Sequence, residues 1–154
     1  MELLAPAGSE EALLAAVRNG ADAVYLGYTA FGARGSAANF DEAQLRKAVR
    51  FCHAHGVRVH VTVNTLVKQA EMQQVMSLFS LLCEVGADAV IVQDFGVLAC
   101  LRAEFPTLPV HASTQMALHN VQGVQFARAQ GVRRVVAARE CTMGDLRAMA
   151  GVGL

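Results

Sequence analysis

The chain has 154 residues, of which 54% are hydrophobic and 17% charged, and its formal net charge is zero. So apolar a composition excludes a disordered tail, and the length suffices for one domain with a sizeable core. Neutrality removes any bulk attraction to nucleic acid or to an anionic membrane, leaving a local patch as the route to an RNA partner.

No apolar run approaches the roughly 20 residues of a membrane helix. The opening Met1-Glu2-Leu3-Leu4-Ala5-Pro6 lacks the basic and long apolar regions of a signal peptide. A cytoplasmic protein without membrane contact is expected.

In chain order, short β-branched runs alternate with stretches of helical period. A strand at 2–5 precedes a helix at 9–19, for which Ser9 is the N-cap. Gly20–Gly27 contains the second strand, and Asp41 caps a helix at 41–55 that lines up Leu45, Ala48, Val49 and Cys52 on one stripe. Gly56–Asn64 contains the third strand, followed by a helix at 71–85. Gly86–Gln93 contains the fourth, followed by a helix at 95–104. A fifth strand at 108–113 leads to a helix at 120–130, and Gly131–Arg139 contains the sixth, before a helix at 142–150 capped by Thr142. Gly20, Gly56, Gly86 and Gly131 each read as the residue that ends the preceding helix.

Strict βα alternation implies a parallel sheet with right-handed crossovers, either doubly wound or a barrel. In the third strand Val57, Val59, Val61 and Val63 alternate with Arg58, His60, Thr62 and Asn64; in the fifth, His111, Ser113 and Gln115 oppose Val110 and Ala112. A doubly wound sheet is covered by helices on both faces and reads as continuously apolar, whereas a barrel interior accepts polar groups near its C-terminal mouth. The pattern favours an incomplete TIM-like (β/α) barrel of six units, a single domain over 1–154. The first and sixth strands would then be edges, so self-association through them is expected.

Function in such a barrel collects at the C-terminal strand ends. Those positions hold Pro6-Ala7-Gly8, Gly27-Tyr28, Asn64-Thr65, Gln93-Asp94, Ser113-Thr114-Gln115 and Arg139-Glu140-Cys141, a set suited to a small polar or anionic molecule. The second βα loop, about 28–40, is long enough to be a binding loop and carries Arg34, whose guanidinium suits a carboxylate or phosphate, and Asn39. His53 and His55 suit the end of a helix, while His60 and His111 point into the barrel as structural or acid–base groups. Cys52, Cys83, Cys100 and Cys141 form no C-x-x-C pair, and no metal site is expected from this segment. Metalloprotease, nucleophile-elbow and P-loop motifs are absent.

Taken together, Glu2-Leu3-Leu4-Ala5-Pro6-Ala7-Gly8, Asn19–Gly27, Ala37-Ala38-Asn39-Phe40, Val63-Asn64-Thr65-Leu66, Gly86–Asp94, His111-Ala112-Ser113-Thr114-Gln115-Met116 and Arg134–Glu140 resemble the N-terminal part of the collagenase-like peptidase family, peptidase family U32. The resemblance spans nearly the whole chain. It implies one of two activities: peptide cleavage, or oxygen-independent hydroxylation of RNA bases or a similar aromatic substrate. A non-catalytic scaffold is the third reading.

Some branches of the family carry an iron–sulfur cluster, whose cysteine signature would follow Leu154. None of the four cysteines here matches it, so the cluster is an expectation for a longer parent and this segment alone is expected to be inactive. The resemblance places Asn64, Gln93, Asp94, Ser113, Gln115, Arg139 and Glu140 in recurring strand-end motifs. Their chemistry suggests Glu140, with His111, for acid–base work, and Arg139 with Arg34 for anionic groups. Asn39, Asn64, Gln93, Asp94, Ser113 and Gln115 are assigned to substrate contacts.

Overall fold

The computed structural model describes residues 2–33 and 39–154. Strands β1 (Leu4–Pro6), β2 (Ala23–Gly27), β3 (Arg58–Val63), β4 (Ala89–Val92), β5 (Val110–Ala112) and β6 (Arg134–Val135) form one sheet in sequence order. Every neighbouring pair is parallel. Helices α1 (Glu10–Arg18), α2 (Glu42–Ala54), α3 (Met72–Val85), α4 (Phe95–Glu104), α5 (Val121–Ala129) and α6 (Met143–Ala150) alternate with the strands. A doubly wound sheet reverses its strand order at a switch point. Here the order runs 1 to 6 without reversal, and the sheet curls as an incomplete TIM-like (β/α) barrel.

Local signals explain these elements. Ser9, Asp41 and Thr142 each accept a backbone N–H of the first helical turn, Asp41 and Thr142 within full capping boxes. The α2 stripe of Leu45, Ala48, Val49 and Cys52 is buried as its spacing requires. Val57, Val59, Val61 and Val63 are buried beneath the helices, each worth about 1.5–3 kcal/mol of transfer free energy.

The pentapeptide Gly-Ala-Asp-Ala-Val occurs twice, at 20–24 and 86–90. Each copy performs the same joinery. Gly20 (φ 84°) and Gly86 (φ 79°) take the left-handed conformation that ends a helix. The following aspartate then accepts a backbone N–H of an adjacent strand segment: Asp22 Oδ2 from Leu3 at 2.7 Å and Asp88 Oδ2 from Val59 at 2.7 Å.

The fifth and sixth units depart from the expected pattern. The chain leaves the sheet after Ala112 and enters a 3-10 turn at Thr114–Met116, ended by Ala117 in the left-handed region (φ 57°). The turn buries Met116 and exposes Gln115, so the strand alternation stops at Ser113. The sixth strand keeps only two ladder residues.

Contacts across the concave side record the curl. The His60 ring of β3 and the His111 ring of β5 meet edge to face with centroids 4.7 Å apart. Glu2 Oε1 accepts from Arg134 Nη1 at 2.5 Å and Oε2 from Arg134 Nη2 at 3.0 Å, while Arg58 Nη2 donates to Oε2 at 2.5 Å. One carboxylate thus ties the start of the chain to β3 and β6.

Candidate functional site

The C-terminal ends of the strands surround a cavity of about 230 Å³. Its walls include Leu4, Tyr25, Ile91 and Val136, with polar groups from Asn39, Thr62, Asn64, Ser113, Thr114 and Arg139. The backbone of Ala7 and Gly8 and the bare Gly27 and Gly32 complete it. The position follows from strand period: residues two apart share a face, so Tyr25 and Gly27, His60 and Thr62, and His111 and Ser113 all turn inward.

The polar groups are individually held. Thr62 Oγ1 donates to Leu26 O at 3.2 Å, and buried Ser113 accepts from Gln115 N at 3.3 Å. Asn64 fastens the neighbouring loop: its Oδ1 accepts from Ala33 N at 3.0 Å and its own N–H donates to Phe31 O at 3.0 Å. Thr65 Oγ1 donates to the same Phe31 carbonyl at 3.3 Å, at a residue in the left-handed region (φ 64°). A non-glycine residue there is strained by about 1–3 kcal/mol, which these contacts offset. The other end of that loop is pinned by Phe40, whose N–H donates to Gly27 O at 2.9 Å and whose side chain is buried.

Beneath the cavity lie His60 and His111, both almost fully buried. Burial pushes His60 below the usual imidazole range and His111 down to about 3, with the neighbouring positive charges adding to the effect. Both rings are therefore neutral at pH 7. His60 Nδ1 is buried and has no hydrogen-bond partner among the described residues. Farther from the mouth, the hydrogen bond from Arg134 holds the Glu2 carboxyl at about 2 against the opposing pull of burial.

The structure therefore brings Asn39, Asn64, Ser113 and Arg139 together around one cavity. Gln93 is half-buried at the end of β4 and Gln115 is exposed; neither lines the cavity. Glu140 is exposed in the turn beside Arg139, and His111 lies one layer below the cavity wall. Asp94 caps α4 through Val97 N at 3.0 Å and also accepts from Val67 N at 3.2 Å, so its carboxylate joins two loops. Arg34 lies outside the described residues. Tyr25 and Thr62 line the cavity without having been singled out, although their inward place in the strand alternation is the signal that identifies them.

The donor set of an iron–sulfur cluster does not fit this segment. Cys52 is buried in α2, Cys83 exposed on α3, and Cys100 and Cys141 lie on α4 and before α6. Among the described residues no three His, Cys, Asp or Glu side chains converge to hold a metal ion. No described helix is long and apolar enough to cross a membrane.

The sequence model of peptidase family U32 matches residues 8–152. The 23S rRNA 5-hydroxycytidine C2501 synthase of Escherichia coli (strain K12) is 36% identical over 149 residues, covering 97% of this chain and 22% of the relative. The collagenase of Porphyromonas gingivalis (strain ATCC BAA-308 / W83) is 35% identical over 148 residues, covering 95% and 35% respectively. The chain thus spans only about a fifth to a third of the length of these curated relatives. A solved U32 peptidase structure superposes with a TM-score of 0.80 at 16% identity, over 98% of this chain and 64% of that one, which is a likeness of fold.

Proposed function

From the premise that this chain belongs to peptidase family U32, we propose that it is the substrate-binding barrel segment of an enzyme that hydroxylates an RNA base without molecular oxygen. The observation that carries this reading is the mouth cavity of about 230 Å³, walled by amides and hydroxyls and flanked by exposed Arg139. A neutral planar base is bound by hydrogen-bond donors and acceptors between apolar walls, and an adjoining phosphate by a guanidinium at the rim. The name of the Escherichia coli relative supports the same chemistry. In this reading Asn39, Asn64, Ser113 and Arg139 contact substrate, Glu140 supplies the acid–base group at the rim, and a cluster is held by residues beyond this segment.

The test is deletion of the gene for the full-length protein, followed by nucleoside mass spectrometry of total RNA. A base carrying one extra oxygen should disappear, return with the wild-type gene, and return weakly or not at all with Arg139→Ala. An unchanged nucleoside profile contradicts the proposal.

A peptidase reading draws on the collagenase relative at nearly equal identity. Peptide hydrolysis by a side-chain nucleophile needs that nucleophile hydrogen-bonded to a base. The Thr62 hydroxyl donates to the Leu26 carbonyl and the Ser113 hydroxyl accepts from the Gln115 N–H, so the bonds they make are to backbone and not to a histidine or carboxylate. Gelatin cleavage by the full-length protein, abolished by Glu140→Gln, would restore the peptidase reading. Self-association through β1 and β6 is a further part of the proposal, since each pairs with one strand only among the described residues; a monomer by light scattering would contradict it.

A further inference from the structure

We propose that Gly27 is the specificity-setting position of the mouth cavity: by carrying no side chain, it seats the Asn39 carboxamide in the wall between β2 and β3. The proposal rests on the nucleobase reading for its ligand but not for its geometry. A Cβ built on Gly27 would stand 2.5 Å from Asn39 Oδ1 and 3.4 Å from Asn39 Cγ. Non-bonded carbon and oxygen do not approach to 2.5 Å, so any side chain at position 27 expels the carboxamide from its seat. The next neighbour, Thr62 Oγ1, would lie at an ordinary 3.5 Å. Gly27 is not among the residues with positive φ, so its backbone tolerates alanine.

The seat is fixed from the other side as well. Phe40, next to Asn39, donates its N–H to Gly27 O at 2.9 Å, accepts from Thr29 N at 3.1 Å and buries its ring. Asp41 then caps α2 in a capping box. The chain is therefore held directly after Asn39, and a crowded carboxamide yields by rotating about its own side-chain bonds. Gly27 and Asn39 both line the cavity. Loss of the seat turns the acceptor oxygen away from a ligand. A flat heterocycle that donates an N–H fits the wild-type slot; a bulkier, non-planar ligand does not need it.

This arrangement separates binding from folding. Gly27→Ala displaces the end of one side chain and removes a glycine from a strand, so the thermal midpoint should change little. Binding should nevertheless fall about tenfold, the value of one hydrogen bond to a neutral partner.

The experiment is a double-mutant cycle on the full-length protein, with cytidine monophosphate as the probe and isothermal titration as the readout. Gly27→Ala and Asn39→Ala should each weaken binding about tenfold, and the double variant should bind no more weakly than Asn39→Ala alone. Losses that multiply to about a hundredfold would overturn the proposal, because Gly27 would then act independently of Asn39.

A crystal structure of Gly27→Ala gives an arm that needs no ligand. An Asn39 side chain rotated off the cavity wall supports the seat, and one left in place overturns it. If wild-type protein shows no saturable binding of cytidine monophosphate while the rotation is observed, the seat stands and the nucleobase reading fails.

Discussion

Replacement of Glu2 by glutamine tests whether one carboxylate ties the start of the chain to β3 and β6. The substitution keeps the shape and removes the charge shared by Arg58 and Arg134. Holding the carboxyl at about 2 rather than 4.5 corresponds to about 3 kcal/mol of stabilisation. The leading partner Arg134 is 36% exposed and Arg58 51%, so solvent screening reduces this to about 1.5 kcal/mol.

The sign follows from the depressed folded-state value. The unfolded chain binds the proton more readily, so the contribution is complete above about pH 4.5 and is lost as pH falls toward 2. Urea unfolding of wild type and Glu2→Gln should therefore differ by about 1.5 kcal/mol at pH 7, and by roughly 40% less at pH 3.5. Added salt should shrink the gap further, because part of the pair faces solvent. Equal stabilities at pH 7, or a gap that does not change with pH, would refute the ion-pair account.

The histidine layer should respond to acid with the same sign. His60 and His111 are held neutral in the folded state, so stability should fall as pH drops below about 6.5, and His111→Leu should flatten that slope in urea titrations between pH 7 and 5. Leu45→Ala empties a fully buried site on the α2 stripe and should cost about 2–5 kcal/mol by the same assay. Cys52 is buried and its thiol is pushed up to about 11, whereas Cys83 is exposed; alkylation mapped by mass spectrometry should modify Cys83 well before Cys52. The reverse order would show that α2 opens more readily than its packing implies.

The barrel was legible wherever a local rule and the packing agreed. The caps at Ser9, Asp41 and Thr142, the α2 stripe and the valine face of β3 each required only a short window of sequence. The site was legible in part, because inward positions follow from period two. That rule correctly turns Ser113 inward and fails at Gln115, where a 3-10 turn replaces the strand. Strand-end position likewise marked Asp94, whose carboxylate is already engaged by two backbone N–H groups, a use no spacing reveals. The contact between Gly27 and Asn39 joins residues across a long loop, and the Glu2–Arg134 tie spans 132 positions. Pairings of that kind depend on how the sheet curls, which no local pattern encodes.

The interior also explains how a cavity above two arginines can keep a selective response to charge. At the end away from the mouth, Arg58 and Arg134 are engaged by Glu2, so two positive charges meet one carboxylate rather than open space. The next layer, His60 and His111, is uncharged at neutral pH and places two polarisable rings between that cluster and the cavity. Above it stand hydroxyls and carboxamides, with Arg139 as the cation of the lining among the described residues. Such an order steers an anionic group to the rim and leaves the deeper wall to hydrogen bonding. Protonation of the histidines would cancel the separation by adding positive charge beneath the ligand. The burial that keeps them neutral lowers stability as pH falls below the ordinary imidazole range, whereas recognition by the folded protein should hold until the rings themselves protonate, for His111 near 3.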